Sequence, residues 1–351
     1  MGIFNQLDFI RDEIKDIPNI NQKPSGSIRS FTGRIGYAVS LGLKEKEIFV
    51  FGLLQWFSIA FAYFLWIQML GWIPEETWQA ASESEGSANV YWILLLWSVF
   101  CVGLAAFPVG ILTGCMGATH FLNKQGQEST IPKCLNLVLP RSWSLWAFHW
   151  LDGWITINQI IERLPSKKHP KTPAQKALSE ALYYAWKLGI SGVLPSIVTG
   201  NNLFTSGKNS VIFVKDNFID VAKLRTGYSA LCWVVGIAAY FGTIGIFNLI
   251  DIAPESDEVY GHIYTYYFWA AVPLLSALAV VMLILRPIFV IALCDLYSDH
   301  LDKKGETVVF PENSTKSTSA IAAFIVLCMA IAMVYFFRDQ LGIVEKLSVL
   351  S

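Results

Sequence analysis

Long apolar runs separated by polar, charged segments set the pattern of this chain. A bilayer core about 30 Å thick takes about 20 apolar residues as helix. Five charge-free runs reach that length: 48–72, 90–119, 229–250, 263–285 and 319–337. They predict an all-α, polytopic helical membrane protein with five transmembrane helices. Residues 1–47 are polar and the first run is too long for a signal-peptide core, so that run is expected to stay as an anchor.

Between the second and third runs the pattern changes from continuous to periodic. Trp143, Trp146, Ala147, Trp150, Trp154, Ile157 and Ile161 recur every three or four residues, with His149, Asp152, Thr156, Gln159 and Arg163 on the opposite face. Tryptophan favours the headgroup boundary, so Trp143, Trp146, Trp150 and Trp154 are expected to form the membrane face of an interfacial helix. Residues 181–195 repeat the pattern less cleanly, with Lys187 on the polar side and Pro195 as the expected stop. Residues 142–198 therefore predict a surface-lying or shallowly re-entrant helical hairpin in preference to two further spans. Two more amphipathic segments stand out. In 1–20, Ile3, Leu7, Ile10 and Ile14 line one side, and 210–225 shows a Val211, Val214, Phe218, Val221 stripe that Ser210 could cap.

Charge adds an orientation. Residues 1–47 carry seven Lys and Arg, and 120–228 carry thirteen, whereas 73–89 and 251–261 carry none and hold several acids. Basic loops stay inside, which predicts an N-inside, C-outside topology. The expected organisation is a cytoplasmic segment 1–47, a first hairpin 48–119, cytoplasm-side helices and a basic connector in 120–228, and a second hairpin 229–296. A cytoplasmic loop 297–318 and a fifth span with a short external tail, 319–351, complete it. Each hairpin follows an amphipathic leader, and Ala62-Tyr63-Phe64 recurs as Ala239-Tyr240-Phe241, which suggests a parallel repeat of two helical hairpins.

Composition agrees with the pattern: 54% of residues are apolar and 15% charged, against about 25% charged in soluble proteins. A net charge of -1 gives no sign of nucleic-acid binding. The six cysteines are isolated, mostly in apolar runs, as free buried thiols are.

Candidate chemistry is sparse. His149 with Asp152, or Asp299 with His300, lacks the further ligands that a metal site needs. Residues 200–208 miss the spacing of a phosphate loop, and no nucleophile elbow is present. No cofactor and no catalytic set are expected. Three features remain. Gly110, Gly114 and Gly117 in the second run suit close helix packing, within this chain in preference to a dimer. Arg163, Lys167, Lys168 and Lys171 form a patch for anionic lipid or a partner. His149, Asp152, Lys187 and Arg286 are candidates for a polar seam, with Arg286 expected at the end of the fourth span, where it could snorkel to the boundary.

Ser142-Trp143 with Trp150 and Trp154, Tyr184-Ala185-Trp186 running to Leu194-Pro195, and residues 210–217 ahead of the third run are similar to parts of uncharacterised prokaryotic polytopic integral-membrane proteins grouped as a domain of unknown function. The resemblance covers about residues 25–300 and implies a prokaryotic inner membrane, with no catalytic residues. Two functions are expected ahead of a third, a lipid-active enzyme at the interface, for which the chain shows no nucleophile or metal set. The first is a non-catalytic membrane subunit or scaffold that binds membrane lipids and another protein of a membrane complex. The second is a small transporter or channel with a polar seam between the hairpins.

Overall fold

The computed structural model describes residues 31–70, 88–163, 172–250 and 272–306, with the isolated positions 308, 325, 326 and 329. The amphipathic segment 1–20, the basic positions Lys167, Lys168 and Lys171, and most of the fifth run lie outside the described residues.

The described residues form helices joined by short turns and loops, with no strand among them. In chain order they form α1 (Phe31–Lys44), α2 (Glu47–Leu70), α3 (Ala88–Lys124), α4 (Ile131–Val138), α5 (Ser142–Arg163), α6 (Pro173–Gly189), α7 (Val193–Val198), α8 (Leu203–Asp216) and α9 (Phe218–Leu249). The last, α10 (Val272–Lys303), contains a π-helical segment at Val281–Leu285. Among the described residues four helices are long and apolar enough to cross a membrane: Glu47–Gln68 of α2, Leu94–Lys124 of α3, all of α9, and α10. They correspond to the first four apolar runs, and they make the chain a helical protein suited to a membrane.

The interior gathers toward one end of the bundle. The C-terminal half of α3 is buried from Val109 to Leu122, and α10 is buried from Phe289 to Leu301. Around them pack Ala38 and Leu41 of α1, Cys134 and Val138 of α4, Leu145 of α5, Ile197 of α7 and Phe213 of α8. By contrast α9 leaves Leu231, Trp233, Val234, Ile237 and Phe241 exposed, a surface that suits hydrocarbon and not water.

Four expectations change. First, α5 does not lie free with its tryptophan face open. It runs antiparallel to α3 in the most extensive helix pair of the fold. Leu145 meets Gly110, Trp150 meets Gly103, and Gly153 meets Val102. The Trp146 and Trp150 indoles donate to the carbonyls of Gly103 and Val99 at 2.8 and 3.1 Å, in the stretch of α3 ahead of Pro108. Trp154 is half-buried, and of the four only Trp143 is exposed. The physical reason is that an indole N–H is satisfied by a helix carbonyl as well as by interfacial water.

Second, Ser210 is not a cap. Asn202 caps α8 by accepting from the Thr205 N–H at 2.9 Å. Ser210 sits inside the helix, where its hydroxyl donates to the Gly189 carbonyl at 2.6 Å and accepts from the Gly192 N–H at 2.8 Å. Third, α6 ends at Gly189, and Pro195 lies within the first turn of α7, a position where its missing N–H costs nothing. Fourth, the helix of the fourth run does not stop near Leu285 but continues to Lys303, so Arg286 lies midway along α10.

The extension of α10 is anchored by α1. Buried Arg34 donates from Nη1 to Asp295 at 2.7 Å and from Nη2 to Asp299 at 2.5 Å. The two acids are four residues apart, so they share one face of α10, and a single guanidinium fork spans both.

Candidate functional site

Where α2, α3, α5, α6, α9 and α10 meet, the apolar interior is interrupted by a seam of polar groups. Gln55 opens it on α2, eight residues beyond Glu47, or about 12 Å along the helix at 1.5 Å per residue. Its Nε2 donates to the Thr113 hydroxyl at 2.8 Å. That hydroxyl donates to the Val109 carbonyl at 2.6 Å and also accepts from Arg286 Nη2 at 3.0 Å. A single threonine on α3 thereby ties α2 to α10.

The aim of Arg286 is set by the π-helical segment just before it. The Arg286 backbone N–H donates to the Val281 carbonyl, five residues back. The segment packs where α2 has only a hydrogen: a Cβ on Gly52 would lie 2.8 Å from the Met282 carbonyl oxygen. π-segments occur often at functional sites.

On the other side, α5 and α6 form an antiparallel pair. Ser179 donates to Gln159 at 3.1 Å, and Lys187 donates to Asp152 at 2.6 Å and to Thr156 at 2.9 Å. Trp186 Nε1 also donates to Asp152 at 3.3 Å. The Lys187 ammonium stands 5.5 Å from the centre of the Tyr183 ring. Both members of the ion pair are partly buried, with side chains 17% and 26% exposed. The buried His149, one turn before Asp152, donates from Nδ1 to the Leu145 carbonyl at 2.9 Å.

Arg225 of α9 completes the seam. Its Nε donates to the Ser191 hydroxyl at 2.9 Å, and its guanidinium lies 4.8 Å from the centre of the Phe289 ring. Tyr228, one turn on, stacks on the same ring at 4.3 Å. His149 and Lys187 each lie within electrostatic range of Arg286 and Asp152, and Lys187 and Asp152 also of Arg225.

All four residues of the expected polar seam, His149, Asp152, Lys187 and Arg286, thus come together. Arg225, Thr113, Gln55 and Ser191 join them without having been singled out in the sequence. Gln55 carried a signal, being a polar residue in the middle of an apolar run. Arg225 did not, because it closes a basic segment and reads as ordinary inside charge.

The other expected sites lie elsewhere. Added Cβ atoms would put Gly110 2.9 Å from the Leu145 carbonyl oxygen, Gly114 2.9 Å from Leu145 and Val138, and Gly117 3.2 Å from the Cys294 sulfur. All three glycines therefore face other elements of the same chain. Arg163 closes α5, and the rest of its patch lies outside the described residues. Among the described residues no three His, Cys, Asp or Glu side chains come together as a metal site would require. Compared with protein-family models, curated proteins and solved structures, the chain matches none.

Proposed function

We propose that this protein is a small membrane transporter or channel of a prokaryotic inner membrane, N-inside, with its solute path along the seam of Gln55, Thr113, His149, Asp152, Lys187, Arg225 and Arg286. The observation that supports this most is the convergence of ionisable groups from α5, α6, α9 and α10 in one place among helices that are otherwise apolar. Charge inside a membrane bundle is costly, and where it is kept it marks solute and ion pathways. The scaffold alternative draws on the amphipathic segments 1–20 and 142–198 and on the basic connector 163–171; of these, 1–20 and nearly all of 163–171 lie outside the described residues.

Reconstitution tests the proposal. Proteoliposomes on a solid-supported membrane are challenged with concentration jumps of sodium, potassium, phosphate, succinate and alanine. A transient current for at least one solute is expected. It disappears in Asp152→Ala and Lys187→Ala while both variants elute as single monodisperse peaks. No current for any of these solutes, with a stoichiometric partner co-purifying from the native membrane, would replace transport by the scaffold reading.

A further inference from the structure

The seam's charges do not balance. Lys187, Arg225 and Arg286 are cations, and Asp152 is the one carboxylate among them in the described residues. Asp152 is already engaged, accepting from Lys187 at 2.6 Å and from Trp186 at 3.3 Å. Among the described residues the two arginines hydrogen-bond or stack only with neutral groups, Ser191 and the face of Phe289 for Arg225 and Thr113 for Arg286, while Asp152 acts on Arg225 through space without a hydrogen bond to it. Arg286 Nε is buried and has no hydrogen-bond partner among the described residues.

A buried donor without a partner costs about 1 to 3 kcal/mol, more when charged, and two guanidinium groups in an apolar bundle with no carboxylate hydrogen-bonded to them among the described residues cost more still. Guanidinium groups present a planar fork of donors that matches the oxygens of carboxylate and phosphate. The Lys187–Asp152 pair beside them supplies a cation whose own partner can be exchanged. The face of Phe289 and the stacked Tyr228 hold Arg225 in place without consuming its donors.

We infer that the seam binds an oxyanion, a carboxylate or phosphate group, between Arg225 and Arg286 with Lys187 at its edge. The inference rests on the transport proposal for why the site exists, and it stands or falls separately on binding. The recognised group belongs either to a free solute or to a lipid headgroup.

The full chain, purified in mild detergent and stripped of lipid, is titrated with inorganic phosphate and with succinate. Potassium chloride at equal ionic strength serves as baseline, and both thermal unfolding and calorimetric binding are followed. In a parallel arm the protein is loaded with phosphatidylglycerol, and native mass spectrometry measures the retained lipid. Expected is a rise in unfolding temperature and measurable binding of phosphate or succinate, or specific retention of phosphatidylglycerol. Arg225→Gln and Arg286→Gln weaken binding at least tenfold, and Arg286→Lys, which keeps the charge and guards against a folding defect, recovers part of it. Solute binding without lipid retention assigns the site to a free solute, and the reverse to a headgroup. The inference is overturned if none of the three probes binds above the chloride baseline, or if both glutamine variants bind as well as the parent. Oxyanion binding without any flux upholds the inference and removes transport. Flux of a cation or neutral solute without oxyanion binding upholds transport and removes the inference.

Discussion

Replacing Arg34 with methionine tests whether the anchor between α1 and α10 carries stability. Arg34 is 3% exposed as a side chain, and its partners Asp295 and Asp299 are 7% and 11% exposed. Without the guanidinium, two carboxylates one turn apart on α10 face each other at about 6 Å, the separation of side chains at i and i+4. At an effective dielectric constant of about 20, their repulsion is about 3 kcal/mol. Removing one partner of a buried ion pair costs about 3 to 5 kcal/mol in general, and the two estimates agree. SDS-driven unfolding in mixed micelles, followed by tryptophan fluorescence, measures the loss. Arg34→Lys, a point charge unable to bridge both acids as a fork does, falls between parent and methionine. Replacing Arg34, Asp295 and Asp299 together by Met, Leu and Leu removes the unpaired charges and returns stability to within about 1 kcal/mol of the parent. A loss below about 1 kcal/mol for Arg34→Met, the range of exposed pairs, would refute the reasoning.

Other substitutions separate close packing from open space. Gly110→Ala drives a methyl against the Leu145 backbone oxygen, which cannot turn aside, and should cost about 1 to 3 kcal/mol in the same assay. Gly114→Ala meets only the side-chain ends of Leu145 and Val138 and should cost less. Gly207→Ala, with nothing within 4 Å of the new methyl inside α8, should stabilise by up to about 1 kcal/mol. Asn202→Ala removes the cap of α8 and should cost about 1 kcal/mol, read as earlier exchange of the α8 amides. Burial pushes the Cys134 thiol up to about 11, so at pH 8 about a thousandth of it is thiolate. A maleimide should leave Cys134 unmodified in folded protein and label it after unfolding, as read by peptide mass spectrometry.

The four described spans were legible because a charge-free run of sufficient length has few other solutions. Two-faced character was legible in 142–163 as well, but not what each face meets. Periodicity reports that Trp146 and Trp150 differ from Asp152 and Thr156; it cannot tell lipid from the carbonyls of Gly103 and Val99, nor water from Lys187. The continuation of α10 was hidden by its charges. Two acids four residues apart, with Asp299 in the expected loop 297–318, look like the end of a helix until Arg34 supplies their counter-charge, and that partner lies more than 260 positions away. Arg286 was legible as a seam candidate, but its place midway along α10 was not, because a boundary arginine and a seam arginine look alike until Thr113 is beside it. The α8 cap was missed because Ser210 and Asn202 both precede apolar stripes, and only the backbone course of α7 into α8 chooses between them.

The π-helical segment of α10 also makes the molecule sensitive to chain length. One residue rotates an α-helix by about 100°, so the extra residue at Val281–Leu285 sets the phase between the part of α10 before it and the part after. Deleting one residue there would let the helix close into ordinary α-geometry, a change favourable to the helix taken alone. It would also swing Arg286 away from Thr113 and, with it, Asp295 and Asp299 away from Arg34, since both contacts lie beyond the same joint, unless the part of α10 before the joint turned instead. Substitutions in this segment are thus more tolerable than a change of length, although every residue of Val281–Leu285 is apolar and none touches a charge in the contacts described.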